Sequence, residues 1–234
     1  MEHLPIYIPV IFGLTTLATL LLFFAVVKNS PAGSKANNIL IGLIVWLIIQ
    51  AVLTLQHVYS SNTHSFPPKI FLLGVLPAIL TIVFLFVTKG GRNFIDHLPL
   101  LQLTWLNVIR IPVELVLYCL FLNKAVPELM TFAGRNFDIL AGITAPFIAY
   151  FGFTRQNLGR GLVLVWHFIA LALLANIVII ALLSAPFSIQ QFAFNQPNIA
   201  ILYFPVSWLP TFIVPIVLVG HLVCIRQLLK SKKS

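Results

Sequence analysis

Charge is what this sequence has least of. Only 8% of its 234 residues are Asp, Glu, Lys or Arg, and five of them are acidic, whereas soluble domains carry roughly 25% charged residues. A chain this poor in charge cannot cover a water-facing surface. Nor can a single core of this length hide an apolar fraction of 60% from water. A soluble globular domain is therefore excluded, and the lipid bilayer becomes the expected partner.

Other absences narrow the function. There are two cysteines. Cys119 and Cys224 fall in separate apolar runs at opposite predicted depths, so they read as small buried residues rather than a disulfide. The chain has no phosphate-cradling glycine loop, no Gly-x-Ser-x-Gly, no HExxH and no Cys-x-x-Cys, which leaves no motif-based case for an enzyme. The last apolar run holds no lysine before Lys230, which excludes a retinal Schiff base. The N-terminal residues lack the basic stretch and small-residue cleavage site of a secretory signal, so the first apolar run reads as a retained helix. The net charge of +9 is scattered between apolar runs. It forms no basic groove interleaved with aromatics, so nucleic acid is not an expected partner.

What is present is a mean hydropathy of +1.04, distributed in seven apolar runs close to the ~20 residues a spanning helix needs. They cover about 4–27, 38–56, 70–87, 98–122, 137–153, 161–183 and 207–229, where the fifth is the shortest and contains Pro146. The sequence predicts an all-α, polytopic integral membrane protein, one transmembrane domain over residues 1–234, in a plasma or inner membrane. Basic residues alternate with the runs. Lys28, Lys35, Lys89, Arg92, Arg155, Arg160, Arg226, Lys230, Lys232 and Lys233 fall on one side, and Lys69, Lys124 and Arg135 on the other. This bias places the N-terminus outside and the C-terminus in the cytoplasm. Dropping the fifth run would place the basic tail outside.

The loops are short, with one exception. Residues 184–206 carry no charge and contain Pro186, Pro197 and Pro205 among several aromatic residues. This segment reads as an interfacial connector that could also cap an outward-facing cavity. The Gly90–Leu100 segment reads as an interfacial turn with Asp96 as a cap, and the basic tail as a headgroup contact.

The polar residues inside the runs carry the functional reading. In the fourth run, Arg110 lies about 12 residues, or roughly 18 Å, from the cytoplasmic end. Glu114 follows one turn later. Asn107 and Tyr118 extend the stripe, all within an arc of roughly 80°. An ionisable residue at mid-membrane is costly and is a functional candidate by default. Arg110 and Glu114 are expected to pair with each other, with Pro112 between them freeing a carbonyl. Gln50 and Asn176 reach similar depth and complete a candidate polar lining, although Asn176 and His167 project from opposite faces of one helix. The leading expectation is a mid-membrane site that binds or transports a small anionic or polar ligand, with Arg110 facing the anion and no cofactor.

A second expectation uses His167 and His221, at matching depth on antiparallel helices, to hold haem or a transition metal. A third is a sensor or assembly subunit without chemistry. Association with further copies of the chain stays open. Asp138, beside Arg135, reads as a surface ion pair, a helix cap or the rim of an entrance.

Overall fold

The computed structural model describes residues 4–230; Lys232 and Lys233 of the basic tail lie outside the described residues. It is all-helical, with no strand among those residues. Five helical rods are each long and apolar enough to cross a membrane: Tyr7–Lys28, Gly33–Leu55, Leu100–Leu122, Arg160–Ser184 and Leu209–Lys230. A sixth candidate is the bent pair Phe71–Val87 and Lys89–Ile95, and Asp138–Thr154 is a shorter apolar helix. Leu14, Leu21, Ile48, Leu80, Phe84, Phe147, Ile169 and Ile179, among many other large apolar side chains, are exposed on the outside of the rods. Water would not tolerate an apolar belt of that extent, so the architecture is consistent with a helical membrane protein.

The elements in chain order are α1 (Tyr7–Lys28), α2 (Ala36–Leu55), α3 (Leu76–Val87), α4 (Lys89–Ile95), α5 (Leu100–Trp105), α6 (Arg110–Leu122), α7 (Asp138–Ala149), α8 (Arg160–Ser184) and α9 (Val214–Lys230). Proline accounts for most of the irregular joins. A 3-10 stretch, Leu106–Ile109, links α5 to α6 and ends three residues before Pro112, whose ring and missing N–H disturb the turn behind it. A π-helical turn, Phe71–Val75, leads into α3 before Pro77. Another, Leu209–Ile213, leads into α9 before Pro215. Helix α8 ends at Ser184 because Ala185 precedes Pro186 and takes up an extended backbone.

The bend of 92° between α3 and α4 occurs at Thr88, whose extended backbone breaks the ladder and whose hydroxyl accepts from Gly91 N–H to cap α4. The sequence predicts a turn capped by Asp96 here. Instead it is helix α4, and Asp96 closes its C-terminal end, where it binds Arg226 and Lys230.

The rods Leu100–Leu122 and Leu209–Lys230 are the centre of the bundle, 50% and 67% buried over their most apolar windows, against 17% for the rod containing α2. Helix α9 packs on α8, α5 and α3, while α6 packs on α1 and α7. One end of the bundle carries the turns with Lys28, Lys35, Lys89, Arg92, Arg155 and Arg160 (the basic end). The other is closed by residues 185–208 (the cap end). That segment is no loose connector: Ala185, Phe187, Asn198, Ala200, Ile201 and Leu202 are buried. It is tied down by Ile199 and Ala200 N–H on Ala125 O, by Asn198 N–H on Ser184 O, and by Gln196 Nε2 on Val126 O.

Candidate functional site

Arg110 is 3% exposed and stands at the first turn of α6. It does not pair with Glu114. Its Nη1 donates to Asp138 Oδ1 at 2.8 Å and to Ala170 O at 3.2 Å, and its Nη2 donates to His221 Nε2 at 2.9 Å. The expected Arg110–Glu114 ion pair is replaced by an Arg110–Asp138 pair across two helices. The sequence suggests a surface ion pair, a helix cap or an entrance rim for Asp138, yet it is 5% exposed and paired inside the bundle. The reason is the path of the α6–α7 connection. Met130, Thr131 and Asn136 are all fully buried, so the chain folds back into the bundle before α7 begins. Glu114 sits about 12 Å below the end of α6, and Asn136 Nδ2 meets its Oε1 at 2.6 Å. Helix α7 therefore starts deep. Its twelve residues and the five-residue π-helical turn after it rise only about 25 Å. Gly142 lets α7 approach α6 here: a Cβ would lie 2.9 Å from Ile111 Cγ1 and 3.3 Å from Arg110 Cβ.

The two histidines meet, with Nδ1 atoms 3.0 Å apart. Their tautomers follow from Arg110, which can only donate. His221 Nε2 accepts from the guanidinium, so its proton lies on Nδ1 and is given to His167 Nδ1. His167 then carries its proton on Nε2, 3.4 Å from Thr104 Oγ1, which in turn donates to Leu100 O. Each imidazole lone pair is thereby used inside the chain. A haem or transition metal on His167 and His221 needs two free lone pairs converging on one point, and this geometry directs them elsewhere. Among the described residues no group of three or more His, Cys, Asp or Glu is placed to hold a metal ion.

The remaining sequence candidates separate. Asn107 is buried but turns back on its own helix, donating to Leu103 O and Thr104 O. Tyr118 stacks on Phe132 with ring centroids 4.9 Å apart. Asn176 is exposed and donates to Arg135 O. Gln50 is fully buried, but it serves the helix packing: its Nε2 donates to Leu73 O at 3.1 Å, the carbonyl that Pro77 leaves without its helical partner. Tyr59 donates to Gln50 Oε1 at 2.5 Å. Burial pushes the Tyr59 hydroxyl up to about 12, which keeps it a donor. None of these four candidates, Asn107, Tyr118, Gln50 and Asn176, borders the cavity that Arg110, Glu114 and Asp138 adjoin.

That cavity, of about 360 Å³, lies between α3, α6, α8 and the Leu209–Ile213 turn with the start of α9. Its size is near the lower end of small-molecule sites, roughly 300–1,000 Å³. Arg110, Glu114 and Asp138 border it, and every other lining side chain is apolar, including Phe187 and Ile201 from the capping segment. Asn136 and Thr104 are the site residues that sequence reasoning missed, and for Asp138 it missed the pairing with Arg110. The cue available was a carboxylate in a short helix, Asp138, at the start of a run too short to span from the surface.

Fold and site together define a class: an all-helical, membrane-type bundle with a buried charged cluster beneath an apolar cavity. The chain belongs to a family described as a domain of unknown function, DUF8737, whose model matches residues 67–229. Arg110, Glu114, Asp138, His167 and His221 all lie within that stretch. No curated protein and no solved structure matches the chain.

Proposed function

We propose that this protein is a seven-span membrane protein that binds a small, largely apolar molecule in the cavity between α3, α6, α8 and α9. The observation that carries the reading is the cavity itself: its walls are almost wholly apolar, with Glu114 and the Arg110–Asp138 pair buried at its edge, and apolar walls with few polar groups are usual for a small-molecule site. Arg110 serves as scaffold rather than as an anion receptor, because Asp138, Ala170 O and His221 occupy its Nη groups. The test is a thermal-shift titration with decanol of the purified protein in nanodiscs, alongside the cavity-filling variants Leu174→Trp and Ala181→Phe. Decanol is expected to raise the unfolding temperature of the wild type and not that of the filled variants. Equal shifts in all three proteins would overturn the reading.

The seven-span topology has the N-terminus outside, the C-terminus in the cytoplasm and the Asp138–Thr154 rod as a full span. The burial of the α6–α7 connection supports it, because that dip shortens the distance the rod must cross. The basic residues gathered at one end support the orientation. Single cysteines at His64 and Gln156, in a background without Cys119 and Cys224, test it. A membrane-impermeant maleimide added to intact cells is expected to label position 64 and spare position 156. Labelling of both from outside would sink the topology.

A further inference from the structure

The hydrogen-bonding state of the cavity floor bears on the ligand's chemistry. Glu114 is 1% exposed. Its Oε1 is held by Asn136 Nδ2, while its Oε2 has no partner. A buried acceptor without a donor is destabilising, and a carboxylate oxygen accepts only from N–H or O–H. Arg110 does not fill this role: its nearest carboxylate is Asp138, and it makes no ion pair with Glu114.

Helix packing around the cavity bears on the route to this floor. Helices α3 and α8 both lean on α9 and do not form a packed pair with each other. On the two sides of the cavity, Phe71 before α3 and Val178 on α8 are each 40% exposed on the outer, apolar surface of the bundle. The cavity wall between these two rods therefore includes side chains that also face outward, while Phe187 and Ile201 of the capping segment line it at the end.

We propose that the ligand is a membrane amphiphile with a hydrogen-bond-donating head, which enters sideways between α3 and α8 and donates to Glu114 Oε2. The inference rests on the cavity-binding reading above and adds the class of head and the route. An ammonium and a hydroxyl supply the same donor chemistry, whereas a carboxylate head or a bare alkane does not.

The experiment compares decylamine, decanol, decanoate and decane on the wild type and on Glu114→Gln in nanodiscs, by thermal shift and by native mass spectrometry. In the wild type, decylamine and decanol are expected to bind about tenfold or more tighter than decane, the worth of one hydrogen bond of roughly 1.4 kcal/mol. Decanoate is expected to bind more weakly than either donor. Decylamine ahead of decanol assigns the ammonium; decanol equal or ahead assigns the hydroxyl. In Glu114→Gln the amide oxygen accepts from Asn136 and the NH2 faces the vacant position. The preference for donor heads over decane is then expected to vanish and decanoate to gain.

Tightest binding of decanoate to the wild type would overturn the proposal. So would equal binding of decane and decanol, which leaves the cavity reading standing and removes only the head assignment. Failure of all four probes to bind removes the cavity reading itself. The route has its own readout: Val178→Trp is expected to slow decylamine association several-fold, and an unchanged rate would refute sideways entry. The four-probe series on the wild type decides the head assignment even if Glu114→Gln does not fold.

Discussion

Two polar stripes run through apolar helices of this bundle, and the sequence presents them alike. On α2 the stripe is Trp46, Gln50 and Thr54, with His57 just beyond the helix end; on the α5–α6 rod it is Asn107, Arg110, Glu114 and Tyr118. In the structure the α2 stripe is closed. Trp46 Nε1 donates to Thr211 O at 2.9 Å, the carbonyl left free by Pro215, and Gln50 does the same for the carbonyl left free by Pro77. Thr54 Oγ1 lies 2.9 Å from Ser207 Oγ. Helix α2 thus holds the π-helical turns of α3 and α9 together, with Gly74 at the crossing. A Cβ on Gly74 would collide with Thr211 Cγ2. The α6 stripe leaves Asn107 Oδ1, Arg110 Nε and Glu114 Oε2 unpartnered, and Arg110 and Glu114 border a cavity. One stripe completes the backbone of its neighbours, and the other leaves bonding capacity beside empty volume. Membrane helices use polar side chains as glue and as sites, and satisfaction distinguishes the two uses.

Breaking the α6 cluster should have the largest effect. Asp138→Ala leaves a guanidinium buried without its carboxylate, an uncompensated charge that costs about 3–5 kcal/mol. Reversible unfolding in mixed micelles measures the loss. The double variant Arg110→Met with Asp138→Leu removes both charges and is expected to recover at least half of it. A double variant as unstable as Asp138→Ala would show that the pair is not the coupled unit.

Breaking the α2 stripe should cost less and act differently. Gln50→Leu strips the partner from Leu73 O and from Tyr59 Oη, and each orphaned buried group costs roughly 1–3 kcal/mol. Decanol binding should persist at temperatures where the variant is folded. Pro77→Ala restores an N–H that can reach Leu73 O, so in the Gln50→Leu background it is expected to return about 1 kcal/mol. Pro77→Ala should give no such gain in the wild type, where Gln50 already serves that carbonyl. Equal gains in both backgrounds would break the link between Gln50 and the proline-freed carbonyl.

These differences explain which parts of the molecule were legible in its sequence. The helical rods were legible to within a few residues because hydrophobic runs and their basic flanks are local properties. The position of Arg110 along its rod was legible because it needs only a residue count. Its partner was not, because pairing depends on which helices touch and on how the 123–137 connection runs. That connection looked like an external loop, yet it carries Asn136 and Asp138 inward to the level of Glu114 and Arg110. Gln50 was misread as ligand lining for a related reason. Its target is a backbone carbonyl released by a proline 27 positions away, and only the approach of α2 to the Phe71–Val75 turn reveals it.

The smallest effect is expected at a third polar group, which shows what the same residue types contribute when water can reach them. Asp96, at the end of α4, accepts from Arg226 Nε at 2.7 Å and from Arg226 Nη2 at 3.2 Å, and it is also bound by Lys230. Its side chain is 20% exposed, with Arg226 at 24% and Lys230 at 55%. The Arg226 hydrogen bonds, aided by Lys230, hold its carboxyl below the ordinary value of 3.8. A carboxyl lowered in the folded state contributes stability that is fully present above its unfolded value. That contribution is lost as the pH falls through the lowered folded value. Unfolding free energy should therefore decline below pH ~4 by no more than about 1 kcal/mol from this group, because solvent screens partly exposed pairs. The difference between the wild type and Asp96→Asn isolates this contribution, since the variant cannot release a proton there. It should be constant above pH ~5 and shrink toward zero in acid. A difference that stays constant down to pH ~2 would mean that the Asp96 charge adds nothing, and that Arg226 and Lys230 hold α4 through packing alone.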